Sequence, residues 1–483
     1  MAEILTLSST LSLKIATETL EIIDNRLSKK KSKVSCAAGV VGPTGPATRK
    51  IPLFHVLWAE LSSEFKLLSV TFAEHTSKTA VRPKKLDYPL DLADVEAAAQ
   101  WVEQLFQKSY GGAQRERRIR VLINPRGGRG NAQELWANEC EPIFRAARSR
   151  LDVELTTHHE HALKIAEELD IDSYDAVACV SGDGVPHEVF NGLGRRKDAR
   201  RALHKIAVCP LPAGSGNGMC WTATGAGTGS MASLIYIKGV LTPIDLVSVT
   251  QGDKRILSLL SQSFGIVAES DLGTDHLRWM GGARFTWGLL TRIWGRDAYP
   301  CDVAYKVVMD DKNAIRDYYR RSGDPSKEEE DDSEEGLPSL KFGTINDPLP
   351  EGWVFNPQPT MGNFFAGNMS RVSADAAFFP AALPSEGKID VISIDANIGR
   401  VISLKMMTAA QDGSHYDMDC VKYRKVLGYR LVPHGKTGYI SIDGEPINYE
   451  PFQAESHQGL GRTFTRDGKY TGGEYLMKPD AKK

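Results

Sequence analysis

The 483-residue chain sets 59 lysines and arginines against 61 aspartates and glutamates, a net charge of −2 with histidine neutral. That balance offers no general attraction to nucleic acid, and 41% apolar residues over such a length suffice for roughly two to four domains with real cores. Seven scattered cysteines, no signal-peptide pattern and no apolar run of about 18 residues argue against a disulfide framework or a membrane span, so an intracellular chain that meets a bilayer only at its surface is expected.

In chain order, residues 1–115 alternate like strands around Leu11-Ser12-Leu13-Lys14-Ile15 and Leu67-Leu68-Ser69-Val70-Thr71-Phe72. They close on an amphipathic helix, Ala93 to Lys108, with Val95, Val102, Leu105 and Phe106 toward a core, an order compatible with a pleckstrin-homology-like module. From 116 to 244 strand and helix alternate, which predicts an open α/β domain. Arg120-Val121-Leu122-Ile123-Asn124 runs into the turn Pro125-Arg126-Gly127-Gly128-Arg129-Gly130, and a helical stretch follows from Asn131 to about Arg150. Val153-Glu154-Leu155-Thr156 is another strand. Ala176-Val177-Ala178-Cys179-Val180 is wholly apolar, as a strand buried on both faces requires, and it enters Ser181-Gly182-Asp183-Gly184, with Pro186 placed for a first helical turn. Ile206 to Leu211 repeats the device and enters Pro212-Ala213-Gly214-Ser215-Gly216-Asn217.

Loops at the carboxyl ends of parallel strands gather at one crevice, so these turns are predicted to converge on one nucleotide, with glycines admitting phosphate to backbone N–H groups. Asp183 is the anomaly. A carboxylate beside phosphate repels it unless it binds the metal or takes a proton from the attacking group. From Ile244 the pattern turns strand-rich, which predicts a β-sandwich over 245–470. The run Glu328 to Glu335 is too charged to bury, so 320–340 is expected to be a disordered insertion.

Asn124-Pro125-Arg126-Gly127-Gly128, Ser181-Gly182-Asp183-Gly184 with His187-Glu188-Val189 and Asn191-Gly192, Pro212 to Asn217, and Asp443-Gly444-Glu445 resemble, in that order, the sphingosine kinases. These are also called sphingoid long-chain base kinases, within the diacylglycerol kinase-like lipid kinases. Matching stretches run from about Arg118 to Ile447, leaving out the N-terminal part and about 310–358. The resemblance implies an α/β nucleotide-binding domain before a β-sandwich lipid-binding domain. It implies transfer of the γ-phosphoryl of ATP, with Mg2+, to the primary hydroxyl of a sphingoid base. Asp183 would accept the hydroxyl proton. Asn124, Arg126, Gly127 and Gly128, with Thr156, would meet the nucleotide, as would Ser181, Gly182, Gly184 and Glu188, and Gly214, Ser215 and Gly216. Arg278 and Arg284 match the family's phosphate arginines. Glu445 is expected near the ribose, Gly444 beside it, and Asp443 near the metal or phosphates.

Asp271 matches the residue that binds the amino group of the sphingoid base, with Ser261, Phe264 and Ile266 as further substrate contacts on an apolar strand that ends in acidic residues. A partly desolvated cation needs a carboxylate, whereas ceramide or diacylglycerol has no such cation. A kinase for those lipids, and an inactive membrane adaptor, are the alternatives. Trp279, Phe285, Trp287, Leu289, Leu290, Ile293 and Trp294 recur at helical spacing. They read either as core or, since a single-chain lipid enters from a membrane, as a lid and anchor on an anionic surface led by Trp287 and Leu290, with basic clusters such as Lys29-Lys30-Lys31 and Arg115 to Arg120 assisting. Three patterns are decoys. Gly435-Lys436-Thr437 has Arg430 where a P-loop needs glycine, His187-Glu188 has Asn191 where a zinc helix needs histidine, and His158, His159 and His161 read as a solvated turn.

Overall fold

The computed structural model describes residues 3–25, 47–62, 66–90, 95–128, 130–274, 277, 283–295, 297–322 and 335–479. Contacts divide them into two units, one of Met1–Arg117 with Ala137–Arg150 and one of Arg118–Trp136 with Leu151–Lys483.

In the first unit β1 (Ile4–Ser8), β2 (Leu11–Ile15), β3 (Thr19–Asp24) and β4 (Ala47–Pro52) form one antiparallel sheet in sequence order. β5 (Val56–Ser62), β6 (Leu67–His75) and β7 (Val81–Pro89) form another. Period-two patterning is plain in β2, where Leu11, Leu13 and Ile15 are buried and Ser12 and Lys14 are not. Helix α1 (Val95–Tyr110) buries Val102, Leu105 and Phe106 as expected and Trp101 besides, and Tyr110 pins its end by donating to Leu57 O at 2.6 Å.

The single helix expected over 131–150 is broken into α2 (Ala132–Leu135), a π-helical turn Trp136–Cys140 and α3 (Glu141–Ala146). Pro142 has no N–H for the carbonyl of Asn138, so the hydrogen-bond ladder fails just ahead of it. α3 belongs to the first unit and packs on β5, β6 and β7, and Arg148 pairs with Glu60.

The second unit carries β8 (Arg118–Ile123), β9 (Arg150–Leu155), α4 (His161–Glu167), β10 (Ala176–Ser181), α5 (Gly184–Gly194), α6 (Ala199–Lys205), β11 (Ala207–Pro212), α7 (Gly218–Thr224) and α8 (Gly229–Lys238). The strand order is β11-β10-β8-β9, with β10 parallel to both neighbours and buried at every residue. Register sets Val180 beside both Ile123 and Leu211, so the glycine turns leave from one edge.

The remainder holds β12 (Val240–Gln251), β13 (Lys254–Ser258), β14 (Ser261–Gly265), α9 (Ile266–Leu272), α10 (Ala283–Gly295), β15 (Cys301–Met309), α11 (Lys312–Arg321), β16 (Val354–Gln358), β17 (Met361–Gly367), β18 (Ile389–Asp395), α12 (Arg400–Ala409), β19 (Lys422–Pro433), β20 (Ile440–Ile442), β21 (Glu445–Ile447) and β22 (Phe452–Thr465). One 11-stranded antiparallel sheet curls on itself, so that Val247, Phe264, Val303, Phe364, Tyr429 and Phe452 share one interior.

Two expectations are corrected here. The strand before Asp271 stops at Gly265, whose φ of +92° breaks the extended run, and Asp271 lies on α9. The flanks of the stretch 320–340 are ordered: α11 runs to Arg321, and Gly336 donates to Lys197 O at 2.7 Å while Leu337 packs on the α/β core. Residues 323–334, which hold most of the acidic run, lie outside the described residues.

Candidate active site

Three glycine turns interlock at the carboxyl edge of the parallel sheet. Gly128 has φ +56°, and a Cβ there would run into the carbonyl of Ala213. A Cβ on Gly214 would strike the Cα of Gly182 and lie 2.8 Å from its nitrogen. Asn124 joins the first turn to β10, donating to Val180 O at 3.1 Å, and its Oδ1 accepts from Arg126 N at 3.0 Å. Arg126 and Ser215 stand exposed on the rim, while Ser181 is buried and donates to Gly182 O.

Asp183 is held by the start of α7. Its carboxylate accepts from Gly218 N at 2.9 Å and from Met219 N at 3.0 Å, and Asn217, left-handed at φ 56°, braces the turn by bonding both polar groups of Gly214. Burial pushes the Asp183 carboxyl above its ordinary range against the pull of those two N–H groups, and the charge of Asp443 adds to the rise. A carboxylate so oriented and raised is suited to accept a proton.

Facing it is the turn between β20 and β21. Asp443, also left-handed at φ 55°, accepts from five donors: His187 Nδ1 at 2.8 Å, the Ser258 hydroxyl at 2.6 Å, and Leu259, Leu260 and Ser261 N, each at 2.9 Å. Burial would raise this carboxyl, but the hydrogen bond and charge of His187 and the Ser258 hydroxyl hold it below the usual range. The opposite shift appears on His187: burial pulls it down, and Asp443, Glu445 and Glu188 more than offset that. Glu445 is half-exposed, with its Oε1 3.4 Å from where a Cβ on Gly184 would sit. Across the same turn, Asp271 Oδ2 is 3.9 Å from the Cβ position of Gly444.

Residues 118–249 match the diacylglycerol kinase catalytic domain family, and residues 3–111 match a domain of unknown function. Sphingoid long chain base kinase 4 of Schizosaccharomyces pombe is 34% identical over 86% of this chain and 88% of its own length. Sphingoid long chain base kinase 5 of Saccharomyces cerevisiae is 33% identical over 84% of this chain and 68% of its own. The chain belongs to the sphingoid long-chain base kinase family. Human sphingosine kinase 1 is 28% identical over 70% of the chain and 88% of its own length. A crystal structure assigned as a diacylglycerol kinase from Bacillus anthracis str. Sterne, 16% identical, gives a TM-score of 0.50 over 73% of this chain and 97% of that one, a likeness of fold.

Not every residue that the kinase family pattern supplies stands where nucleotide or lipid could touch it. Arg278 lies outside the described residues, as does the side chain of Arg284. Glu188, expected at the nucleotide, instead accepts from Glu160 N and Ala162 N, each at 3.0 Å, and so shapes the loop that follows Thr156. Thr156 itself is buried and bonds Ile123 O through its N–H at 2.8 Å. The role near metal or phosphates expected of Asp443 is corrected: its side chain has no exposure, and its five donors leave no open lone pair. Phe264 is likewise core, stacked on Tyr449 at 5.9 Å inside the sheet, because β14 is central and its alternate residues face inward. Ser261 spends its N–H on Asp443, and Ile266, the first residue of α9, is half-buried against the core.

Sequence reasoning names Asn217 and Asn191 in their motifs but assigns no role to them or to Ser258. The signal for the first was an asparagine closing a Gly-Ser-Gly turn, since asparagine tolerates the left-handed region. His158, exposed, stacks at 4.7 Å on His161 at the start of α4, and no metal-ligating cluster of three such groups occurs among the described residues. The aromatic stripe divides. On α10 Leu289 is buried and Trp287, Leu290 and Trp294 are exposed. On α12 Val401, Ile402 and Leu404 are exposed as well, and Arg400 stacks on the Trp294 ring at 4.6 Å, joining the two helices. No helix among the described residues is long and apolar enough to cross a membrane.

Proposed function

We propose that this kinase transfers the γ-phosphoryl of ATP to the primary hydroxyl of a sphingoid long-chain base. The observation that carries the reading is Asp183, raised by burial and aimed by two N–H groups of α7, at the start of helix α5 beside Glu445, with Asp271 across Gly444 of the same turn. Backbone N–H groups of the turns and the Arg126 guanidinium bind phosphate. Asp183 takes the hydroxyl proton as the oxygen attacks phosphorus. Asp271 pairs with the substrate ammonium and fixes which end of the lipid is presented.

Mg2+ takes one or two carboxylates together with substrate phosphates and water. With Asp443 saturated, Glu445 is a carboxylate among the described residues that would hold it, its Oε1 lying 3.4 Å from the Cβ position of Gly184. The metal would neutralise charge building on the transferred phosphoryl.

The face formed by α10 and α12 docks on anionic membrane, where tryptophan with flanking arginine and lysine suits the interface and the substrate is drawn from the bilayer. The sheets of four and three strands closed by α1 support a pleckstrin-homology-like first unit.

Labelled ATP incubated with the protein and a panel of sphinganine, phytosphingosine, ceramide and diacylglycerol is expected to label the two free bases. Label on ceramide or diacylglycerol instead would displace Asp271 from its role, and label on none would favour an adaptor.

A further inference from the structure

Two side chains of α5 reach from the α/β layer into the large sheet. Asn191 brackets the backbone of Leu257, donating to its carbonyl at 2.8 Å and accepting its N–H at 2.9 Å. One turn earlier, His187 meets Asp443 through the 2.8 Å bond, at a site where the imidazole is 13% and the carboxylate 0% exposed. The other four donors to Asp443 come from Ser258 to Ser261, which pair within the same sheet. Ser258 is itself fixed from behind, by Gln262 at 2.7 Å and through it by the Tyr429 hydroxyl at 3.1 Å. His187 is thus the link by which α5 grips the acidic turn, and the His187 N–H donates to Asp183 O at 3.1 Å.

We propose that His187 is a positioning residue for both substrates: by clasping Asp443 it locks the turn onto the helix that begins after Asp183, and so sets Glu445 and, across Gly444, Asp271 at fixed distances from the proton acceptor. The inference rests on the phosphotransfer reading above. A carboxylate with five donors and no exposure has one orientation, and removing the donor on the α5 side leaves the turn anchored to its own sheet alone. Glu445, on the nucleotide side, and the ammonium contact of Asp271 would then be offered at the wrong distance from Asp183, a misplacement that costs rate even when no reacting group is lost.

The test uses the full chain. His187→Ala is expected to raise KM for ATP and KM for sphinganine together, each about 10-fold or more, the scale of a lost charge-assisted hydrogen bond. His187→Asn, whose amide nitrogen stands where Nδ1 stood, is expected to bring both back near native values. Should the alanine variant not fold, His187→Gln takes its place, filling the site but carrying its donor a methylene further on. A folded alanine or glutamine variant with both KM values native and only its melting temperature lowered would overturn the clasp, and so would an asparagine variant as poor as alanine. Calorimetric titration with ATP, run beside the assay, keeps this outcome separate from that of the phosphotransfer reading. If the native protein turns over no lipid, that reading fails, while unchanged ATP affinity in the folded variant still overturns the clasp.

Discussion

Replacing Asp183 with asparagine preserves size and removes two things at once. The carboxylate now accepts from Gly218 N and Met219 N with one oxygen each. An amide has one oxygen and one NH2, so one of those N–H groups is left facing a donor. Losing a hydrogen bond to a charged group costs about 1.5–3 kcal/mol. At about 2–4 °C per kcal/mol for a unit of this size class or somewhat larger, the melting temperature should fall by roughly 3–12 °C. Turnover should fall much further, because removal of a positioned general base costs about 10²–10⁴-fold. Initial rates with labelled ATP at saturating sphinganine, and calorimetric ATP affinity, separate the two effects. The fold and nucleotide binding should survive while kcat falls by about 10²-fold or more. Native kcat should decline as pH drops through a carboxyl value raised by burial, since the base acts only when deprotonated, and the asparagine variant should lose that limb. A folded variant with near-native kcat would remove Asp183 from proton transfer.

Asp271→Ala should reduce kcat/KM for sphinganine by about 10- to 150-fold, the equivalent of 1.5–3 kcal/mol, with ATP affinity scarcely changed. Unaltered kinetics would make Asp271 a residue of helix α9 and nothing more. The pair Trp287→Ala and Leu290→Gln should weaken co-sedimentation with phosphatidylserine vesicles while activity on detergent-dispersed lipid persists, because each large apolar group inserted contributes about 1.5–3 kcal/mol at full burial. Equal sedimentation of native and altered chains would refute the docking face.

What was legible in the chain follows from how local the information is. β10 announces itself as six buried residues in a row, and the glycine turns follow their strands within a few positions, so the parallel layer and the place of Asp183 at its edge are legible. The curled sheet could not. β12 pairs with β22, Val240 opposite Thr465, and nothing in either segment names a partner more than 200 positions away. The sequence predicts a strand up to Asp271 because a short apolar run has no period to distinguish it from a short helix, and Gly265, whose positive φ ends the strand, looks like any other glycine. Family pattern put Glu188 and Asp443 at the ligand, whereas hydrogen bonding turns both inward, one onto a loop and one onto its own sheet.

The allotment of residues 137–150 to the first unit has a temporal meaning. A chain emerging from the ribosome can complete the β sheets and α1 of that unit early, but α3 and Arg148, which cover β5 to β7, arrive only after β8 of the next layer has already been made. The N-terminal unit therefore finishes folding with the first strand of the kinase layer threaded through its sequence. Its assembly and that of the nucleotide site are coupled in synthesis, and a cut near residue 115, placed as if between two independent beads, would take the seat from under α3.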